Sequence, residues 1–469
     1  MNGTGALATL FHFSYLLSAI LFIVGLKFLS HPARARQGNL VAALGMTVAG
    51  LTTLATLWVP ETGYHNQGLI LVAIAIGAVA GTIGARRVQM TAIPQMVALL
   101  NGCGGGSAAL ISTAEFLHLS QARAGVDTMF GCIIGSISFS GSVVAFAKLQ
   151  GLVSEKAINS PAQKAVNFVL FLALLGLVGM LGLSGGGPPA FYTLLAVSLA
   201  FGVLMVAPIG GADMPVVISL LNSFTGLAVA ATGFVLHNNA LIISGTLVGA
   251  SGTLLTMLMC KAMNRSLGNV LFAGFGSAPV AAGGAGTVAG ATRNVREVSV
   301  DDAAVLLANI QSLIIVPGYG MAVAQAQHAV RELAELLTKK GVDVKYAIHP
   351  VAGRMPGHMN VLLAEANVSY DQLFDLDQIN PEFERADVAL VIGANDVVNP
   401  AARSDKSSPI YGMPILNADK ARHVIVIKRG MNPGFAGIEN QLYYEPRTSM
   451  LFGDARAAVT KLVEAVKAL

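Results

Sequence analysis

Charged side chains are scarce in this chain. They make up 12% of its 469 residues, against about a quarter in a typical soluble domain, whereas apolar residues make up 54%. A chain with so little charge cannot keep its whole surface in water, which excludes an entirely soluble protein. The shortage is uneven: residues 1–270 hold 11 basic and 5 acidic residues, a net charge of +6, and residues 271–469 hold 18 and 20, a net charge of −2.

Cysteine is rarer still, and basic residues nowhere form a cluster. Cys103, Cys132 and Cys260 lie in apolar stretches without ligand spacing, which argues against a disulfide framework and predicts no metal site. Without a basic patch we expect no nucleic-acid partner. No Lys or Arg precedes Lys27, which argues against a cleaved signal peptide and for a retained first span.

Long apolar runs dominate the first part of the chain. A helix that crosses a bilayer needs about 20 mostly apolar residues. Nine stretches qualify, at residues 6–29, 39–59, 68–84, 93–113, 125–147, 166–184, 189–208, 213–235 and 239–260. The ninth carries Gly245 and Gly249 four residues apart, a spacing typical of closely packed helices. The sequence therefore predicts a membrane α-helical bundle of about nine transmembrane helices over residues 1–265.

The basic residues between the spans predict the orientation of this bundle. Those that follow an odd-numbered span are Lys27, Arg34, Arg36, Arg86, Arg87, Lys148, Lys156, Lys164, Lys261 and Arg265. Arg123 alone follows an even-numbered span. Because basic loops stay in the cytoplasm, we expect the N-terminus outside and everything after the ninth span inside.

A few polar residues interrupt the spans. Asn101 lies in the fourth span and Asn222 in the eighth, which Asp213 opens at its cytoplasmic end. The fifth span holds Ser136, Ser138, Ser140 and Ser142. An unpaired polar group in hydrocarbon costs roughly 2–7 kcal/mol, so such residues face a bundle interior. Interhelical hydrogen bonding explains the serines; Asn222 fits that role or a functional one equally, and Asp213 either caps its helix or titrates.

The composition changes after residue 265. Residues 266–296 are rich in Gly and Ala without a period, which predicts a flexible linker. Strand-like runs follow at residues 312–316, 343–348, 388–392, 423–427 and 449–452. After the first run a helix is predicted from Met321 to Lys340, with Gly341 at the position directly after it. Strands that alternate with helices predict a soluble, doubly wound α/β domain with a parallel sheet over residues 297–469.

A glycine-bearing loop follows each of the five strand runs. Gly318-Tyr319-Gly320 follows the first, a phosphate-loop pattern with a strand before it and a helix after it. The others begin near Val351, Gly393, Lys428 and Gly453. Because the carboxyl ends of parallel strands share one edge, we expect these loops to line one groove for a dinucleotide.

The absence of an acidic residue at the end of the second strand decides which dinucleotide is predicted. NAD sites of this kind place Asp or Glu at the end of the second strand for the ribose 2′-hydroxyl, but here the sequence reads Ile348-His349-Pro350. Adjacent Lys428 and Arg429 suit a 2′-phosphate, or else form a solvated strand end. NADP(H) is therefore the predicted ligand.

Six segments carry a resemblance to a known family: residues 209–223 (IGGADMPVVISLLNS), 259–266, 317–327, 349–366, 391–402 and 428–432. Together they resemble the β subunit of proton-translocating NAD(P) transhydrogenases over nearly the whole chain. The resemblance implies a subunit of the bacterial inner membrane that couples hydride transfer between NAD(H) and NADP(H) to proton translocation, reducing NADP⁺ by NADH as protons flow inward. It further implies a Rossmann-like domain that binds NADP(H), an α-subunit partner that binds NAD(H), and a homodimer within a larger complex.

The resemblance also assigns residues. Asp213 and Asn222 match positions tied to proton passage and coupling, and Asp396 resembles an acid that senses protonation near the nicotinamide. Some relatives have histidine where this chain has Asn101, which does not titrate near neutral pH. Either an α-subunit helix then supplies the ionisable group, which is the alternative we favour, or water held by Asn101 and Asn222 does.

The resemblance implies NADP(H) contacts in the groove loops. They are Gly318, Tyr319, Gly320, Val351, Ala352, Gly353, Arg354, Met355, Pro356, Gly393, Ala394, Asn395, Asp396, Val397, Gly412, Met413, Lys428, Arg429, Gly430, Met431, Asn432, Pro433, Gly434, Phe435, Asp454 and Ala455. In the family the dinucleotide lies flipped, which makes residues 351–356 a rival to residues 318–320 as the phosphate cradle.

Two other classes of function stay open at this point. A transporter or channel with a cytosolic dinucleotide-sensing domain would need a TVGYG-like filter at membrane depth, but Gly-Tyr-Gly occurs at residues 318–320, behind a soluble strand. A purely structural assembly subunit would not need a five-loop groove. Both alternatives predict nucleotide binding without hydride transfer, or no binding at all.

Overall fold

The computed structural model describes residues 3–29, 34–56, 58, 66–118, 125–154, 160–183, 187–264, 266–268, 295–434 and 436–469. Most of the predicted linker lies outside the described residues, so its flexibility stays a prediction. The chain divides into two compact units. The first comprises Met1–Leu152, Ala165–Ala207 and Leu220–Thr253, and the second Val153–Lys164, Pro208–Ser219 and Leu254–Leu469.

The first part of the described chain is built from long apolar helices. They are α1 (Gly3–Leu29), α2 (Ala35–Thr56), α3 (Gln67–Arg87), α4 (Ile93–His118), α5 (Val126–Leu149), α6 (Pro161–Leu183), α7 (Gly187–Val206), α8 (Met214–Val235) and α9 (Asn239–Ala262). Short 3₁₀ helices, Met90–Ala92 and Gly211–Asp213, precede α4 and α8. Among the described residues nine helices are long and apolar enough to cross a membrane, which confirms the nine predicted spans.

Glycines bring α8 and α9 into backbone contact. A Cβ atom on Gly245 would lie 2.4 Å from the Ala230 nitrogen, and one on Gly226 would lie 2.3 Å from the Gly249 nitrogen. No residue other than glycine fits at such distances without a shift of the helices. The close packing predicted for the ninth span is confirmed, and contacts of this kind hold helices together where lipid offers no hydrophobic gain.

The second unit contains a six-stranded parallel sheet. Its strands are β1 (Ser312–Pro317), β2 (Asp343–Ile348), β3 (Leu373–Asp375), β4 (Val388–Ile392), β5 (His423–Lys428) and β6 (Thr448–Phe452). They are arranged in the order β3-β2-β1-β4-β5-β6. The five predicted strands are confirmed. The sixth, β3, escaped prediction because two of its three residues are only partly buried, the third is exposed, and together they form no apolar run.

Helices and turns cover both faces of the sheet. The helices are α10 (Val300–Ala308), α11 (Tyr319–Val323), α12 (Gln327–Lys339), α13 (His358–Glu365), α14 (Leu376–Ile379), α15 (Ala401–Ser404) and α16 (Ala455–Ala468). Helix α16 packs against α10 and α12. On the other face a buried cluster joins Val316, Val391 and Val426 to Phe383 and Tyr443. Two covered faces explain why the strands read as continuous apolar runs.

The single helix predicted from Met321 to Lys340 is in fact two helices, α11 and α12. It is broken after Val323, because Gln325 adopts a left-handed φ of 50° and α12 begins only two residues later. Val323, which was assigned to the apolar face, is 46% exposed. The predicted end is confirmed: Gly341 has a φ of 93°, the conformation that glycine favours after a helix.

Replacement of Gly245 by alanine should force α8 and α9 apart. Overpacking of this kind costs about 1–3 kcal/mol. Gly77→Ala on α3 is the matched control, because no described atom lies within 4 Å of its Cβ position. We expect the detergent-solubilised Gly245→Ala protein to unfold at a lower temperature than the wild type and the control. Equal unfolding temperatures for all three would contradict this packing.

Candidate functional site

The order of the strands places the candidate site. Strands β1 and β4 are neighbours in the sheet. From β1 the chain continues to β2 on one side of this pair, and from β4 it continues to β5 on the other side. In open parallel sheets, ligands bind at the carboxyl ends of the strands beside such a point. The loops after β1, β2, β4, β5 and β6 all begin at this edge, as the sequence predicted.

The glycine loop after β1 is packed against the loop after β4. The N–H of Gly318 donates to the Ile392 carbonyl and the N–H of Gly320 donates to the Gly393 carbonyl, both at 2.9 Å. A Cβ atom on Gly318 would lie 2.3 Å from the Ala394 Cα. These glycines therefore allow two loops to approach each other, and their amide groups are already engaged. Helix α11, which begins at Tyr319, has only five residues. The dipole at its N-terminus is therefore too small to contribute much to binding a phosphate.

The loop after β2 is built on a buried histidine. The N–H of Val351 donates to His349 Nδ1 (3.2 Å), and His349 Nε2 lies 2.8 Å from the Pro414 carbonyl. These partners assign a neutral ring with its proton on Nε2. Burial lowers the pKa of His349 to about 4, although the hydrogen bond to Pro414 acts in the opposite direction. The histidine thus ties this loop to the segment that contains Gly412 and Met413, two predicted NADP(H) contacts.

The same loop continues around His358. The N–H of Arg354 donates to His358 Nδ1 (3.0 Å), and the Arg354 guanidinium lies 4.8 Å from the centroid of the Tyr319 ring. The rings of Tyr319 and His358 meet edge to face with centroids 6.1 Å apart. Burial and the Arg354 charge together lower the pKa of His358 to about 4. Residues predicted from two different loops therefore form one cluster at the β1–β2 edge.

Asp396 lies beneath the loop after β5. Its Oδ2 accepts a hydrogen bond from the N–H of Ala436 (3.0 Å). A Cβ atom on Gly434 would lie 2.6 Å from Oδ1, so glycine is needed for the loop to fold over the carboxylate. The structure thus brings Asp396 together with the Gly430–Gly434 segment. Phe435 lies outside the described residues.

Lys428 and Arg429 differ in their surroundings. Lys428 Nζ donates to the Asn432 carbonyl and lies 5.2 Å from the centroid of the Tyr443 ring. Burial lowers the pKa of Lys428, while the nearby Asp396 carboxylate opposes this shift. Arg429 is exposed, and within the described part of the chain it forms no ion pair. Its guanidinium is therefore open to a phosphate group.

Two residues that the sequence did not reveal fix Asn395. The Tyr443 hydroxyl donates to Asn395 Oδ1 (3.0 Å), and Asn440 Nδ2 lies 3.0 Å from the Asn395 carbonyl and 3.1 Å from its Oδ1. Burial raises the pKa of Tyr443. Asn440 is the N-cap of the 3₁₀ helix Gln441–Tyr444, and Tyr443 lies within that helix. In the sequence, only their spacing of three residues could have indicated that they act together. They hold in place the turn that carries Asp396.

The loop after β6 contributes less directly. Asp454 Oδ1 accepts hydrogen bonds from the N–H groups of Arg456 (3.1 Å) and Ala457 (3.3 Å), so its carboxylate caps α16. Ala455 is buried. The N–H of Gly453 donates to the Lys428 carbonyl (3.0 Å), which places the start of this loop beside the basic pair.

Within the second unit, the end of α9 meets two of the predicted loops. Asn264 Nδ2 donates to the Tyr411 carbonyl (2.8 Å), and Gly412 has a φ of 79° with its Cβ position 2.4 Å from that same nitrogen. Val351 packs onto a buried cluster of Val216, Met259 and Cys260. Asp213 belongs to this unit and is half-buried in the 3₁₀ helix that leads directly into α8.

In the first unit, Thr225 of α8 joins three helices. Its Oγ1 lies 3.1 Å from the Asn101 carbonyl of α4 and 2.7 Å from Ser138 Oγ of α5. Asn101 is 6% exposed, and Asn222, nearly one turn before Thr225, is half-buried. Interhelical hydrogen bonding is confirmed for Ser138, whereas Ser140 bonds within its own helix. Thr225, which sequence reasoning missed, links Asn101 to the helix of Asn222.

Acid should destabilise this domain through His349. Its pKa of about 4 in the folded protein lies below the ordinary value of 6.5, so the unfolded chain binds the proton first. Stability present above about pH 6.5 is therefore lost as the pH falls toward 4, by up to roughly 3 kcal/mol. We expect His349→Asn to flatten the fall in unfolding temperature between pH 7 and pH 4.5. The exposed His328→Asn variant should retain the wild-type slope; an unchanged slope in His349→Asn would show that another group governs it.

Comparison with known proteins supplies the family. A family model described as NAD(P) transhydrogenase beta subunit matches residues 11–465. Two proteins named NAD(P) transhydrogenase subunit beta, one from Rhodospirillum rubrum and one from a named strain of that species, are each 50% identical to this chain over 465 residues. The matches cover 97% of this chain and 98% of each relative. The nine apolar helices and the parallel-sheet domain of the described residues agree with these matches, and the chain belongs to the NAD(P) transhydrogenase beta subunit family.

Proposed function

We propose that this chain is the NADP(H)-binding subunit of a proton-translocating transhydrogenase, which reduces NADP⁺ by NADH as protons flow inward. The observation that carries the proposal is the basic pair at residues 428–429 at the binding edge of the parallel sheet, with Lys428 near Asp396, in a chain whose described residues also include nine apolar helices. An α subunit binds NAD(H) and completes the site. We further propose a homodimer within the larger complex, embedded in the bacterial inner membrane.

The residues at the binding edge fit NADP(H) better than NAD(H). The end of β2 offers His349, which is buried and engaged with Pro414, in place of an acid for a ribose 2′-hydroxyl. Arg429 is exposed and suits a bidentate contact with a 2′-phosphate. When bound, NADP(H) supplies the nicotinamide that carries the hydride, and the protein binds and orients it.

We assign the phosphate cradle to residues 351–356 rather than to residues 318–320. The amides of Gly318 and Gly320 already donate to Ile392 and Gly393, so neither glycine amide is available to a pyrophosphate. The loop after β2 instead places Arg354 over the Tyr319 ring at the open edge. The glycine residues after β1 then serve to pack two loops together.

Asp396 is suited to sense protonation near the nicotinamide. Its carboxylate accepts from Ala436, faces Gly434 and attracts the charge of Lys428. A change in its charge would therefore be felt by the whole loop after β5, to which the predicted contacts Gly430–Gly434 belong. Asn440 and Tyr443 keep the preceding residue, Asn395, fixed.

Proton passage is assigned to the interior of the bundle. Asn101, Thr225 and Ser138 form a polar junction of α4, α8 and α5, one turn from Asn222. None of these side chains titrates near neutral pH, so we propose that a helix of the α subunit supplies the ionisable group. The N-terminus lies outside and the sheet domain in the cytoplasm, since all the basic residues between the spans except Arg123 follow odd-numbered spans.

Coupling is assigned to Asp213 and the end of α9. Within the second unit, Val351 contacts residues of α8 and α9, and the Tyr411–Gly412 segment contacts Asn264, two residues after α9. A shift of these helix ends therefore reaches two loops of the nucleotide site. One charge that crosses about 100 mV releases about 2.3 kcal/mol. At about 1.4 kcal/mol per tenfold change, this free energy moves the NADPH/NADP⁺ ratio by between one and two decades.

A channel regulated by a dinucleotide-sensing domain is not favoured. The Gly318-Tyr319-Gly320 segment follows a strand of the soluble sheet, and the N–H groups of both its glycines are hydrogen-bonded to the neighbouring loop. It therefore does not line a pore at membrane depth.

Removal of the Arg429 guanidinium should weaken NADPH binding selectively. A charge-assisted hydrogen bond contributes about 1.5–3 kcal/mol, so we expect an affinity roughly 10- to 150-fold lower in Arg429→Ala, with NADH binding unchanged. Arg447→Ala is the matched control, an exposed arginine just before the amino end of β6. Calorimetric titration of NADPH and NADH into the three proteins measures this. Selective binding of NADH by the wild type would overturn the proposed cofactor.

Neutralisation of Asp213 should separate binding from coupling. We expect the Asp213→Asn protein to bind NADPH as the wild type does, because Asp213 is not one of the predicted NADP(H) contacts. We expect it to lose proton-coupled turnover, because the substitution removes the titratable carboxylate. The control is Asp127→Asn, which changes an acid in the first turn of α5. The measurement is NADH-to-NADP⁺ hydride transfer in proteoliposomes, with and without an imposed proton gradient. Full stimulation of Asp213→Asn by the gradient would sink this assignment.

A further inference from the structure

A cavity of about 300 Å³ lies over strand β2, on the face of the sheet that α12 covers. Tyr346 of β2 forms its floor, the second half of α12 forms one wall, and residues 367–372 between α13 and β3 form the other. This volume is at the lower end of the range of small-molecule sites. Gln372 directly precedes β3, so the cavity lies toward the amino ends of the strands, and none of its lining residues is a predicted NADP(H) contact.

The hydroxyl of Tyr346 distinguishes this cavity from a surface groove. Tyr346 is 0% exposed, yet among the described residues its hydroxyl has no hydrogen-bond partner. A buried tyrosine usually finds a partner for its hydroxyl, because an unpaired polar group in the interior is costly. The cavity is the place from which a ligand can supply this partner.

The charges of the lining show that the hydroxyl faces the cavity. Burial raises the pKa of Tyr346; the Glu335 carboxylate adds to this shift, and the Arg331 guanidinium opposes it. Both charged side chains belong to the cavity wall that α12 forms, so the hydroxyl lies close to that wall. With its raised pKa the hydroxyl keeps its proton and can donate a hydrogen bond.

Positive charge and hydrogen-bond donors prevail around the cavity. Arg331 and Lys339 supply two positive charges against the one of Glu335, a net charge of +1 for the lining. The Glu335 carboxylate is already engaged by Arg331 at 2.6 Å, whereas Lys339 forms no ion pair within the described part of the chain. Asn367, Ser369 and Gln372 add amide and hydroxyl donors. Such a lining favours a ligand that accepts hydrogen bonds and carries one negative charge.

Two apolar residues complete the lining. Ala334 on α12 and Val368 on the facing segment are both buried, with 4% and 6% exposure. Apolar side chains gain from covering a carbon skeleton, which an inorganic anion lacks. A small organic acid therefore matches the cavity in charge, in hydrogen bonding and in its apolar part.

We propose that this cavity is a second ligand site, separate from the nucleotide edge, which binds a small organic carboxylate of single negative charge through the Tyr346 hydroxyl and Lys339. The Tyr346 hydroxyl pairs with the ligand inside the cavity, and the Lys339 ammonium balances its charge. Asn367, Ser369 and Gln372 supply the remaining donors.

Lactate is the probe, because it has one carboxylate, a hydroxyl and a short carbon skeleton. It is titrated by calorimetry into the full-length chain, assembled with its partner subunit in detergent and saturated with NADPH so that the nucleotide edge is occupied. We expect Tyr346→Phe to bind lactate about 2- to 12-fold more weakly than the wild type, the contribution of one neutral hydrogen bond. Phenylalanine keeps the ring and removes only an unpaired hydroxyl, so the unfolding temperature without lactate should be no lower than that of the wild type.

Tyr370→Phe is the matched control, because Tyr370 is 41% exposed and does not belong to the lining. It should bind lactate as the wild type does. Equal lactate affinity in Tyr346→Phe and the wild type, or no binding of lactate by the wild type, would overturn the proposal.

A second variant tests the charge of the site with Tyr346 intact. Lys339→Gln should weaken lactate binding about tenfold, since it replaces a charge-assisted contact by a neutral one. Lys340→Gln, at the exposed neighbouring position outside the lining, should not change it. Lactamide, the uncharged analogue, should bind the wild type and Lys339→Gln equally.

Inorganic phosphate distinguishes the kind of anion. Phosphate that binds as tightly as lactate and is weakened equally by Tyr346→Phe would overturn the assignment to an organic carboxylate. Failure of the wild type to bind NADPH would contradict the proposed function, whereas the differences in lactate affinity between the variants and the wild type would still decide whether the cavity is a site.

Discussion

A polar group that this chain withdraws from water must find a partner within the protein, since an unpaired one costs roughly 2–7 kcal/mol. In the bundle this constraint pairs Thr225 with Asn101 and Lys148 with Ala207. In the sheet domain it pairs His349 with Pro414. Each pairing joins segments that are distant in the sequence. The hydrogen bonds that compensate for the loss of hydration therefore also fix the geometry of the site.

Close backbone approach is the second condition, and glycine meets it in both units. Gly226 and Gly245 let two apolar helices touch, and Gly318 lets the loop after β1 touch the loop after β4. The same residue type therefore serves helix packing in one unit and loop packing in the other. A Gly-x-Gly pattern after a strand is typical of a phosphate-binding loop. Here its glycines pack instead against the backbone of the loop after β4.

Within the second unit, residues without ionisable side chains join loops of the sheet domain to the ends of two long helices. Val351 and Gly412 lie in loops assigned to NADP(H), and within the second unit they contact the ends of α8 and α9. A packed interface of this kind changes between discrete arrangements rather than deforming smoothly, which suits the coupling role proposed for it. Asp213 is the titratable residue of the same unit that lies next to α8.

For the residues that the structure describes, the sequence by itself determined nine long apolar helices, five of the six strands and the edge of the sheet at which the loops gather. These features follow from the length and period of apolar runs, which are local properties. The tertiary structure alone decided that α11 and α12 are separate helices. It also decided that the N–H groups of Gly318 and Gly320 donate to the carbonyls of Ile392 and Gly393, and that Asn440 and Tyr443 hold Asn395. It also decided that Lys148 points inward to Ala207. Which partner a buried polar group or a glycine meets depends on contacts between distant segments, and no local pattern encodes them.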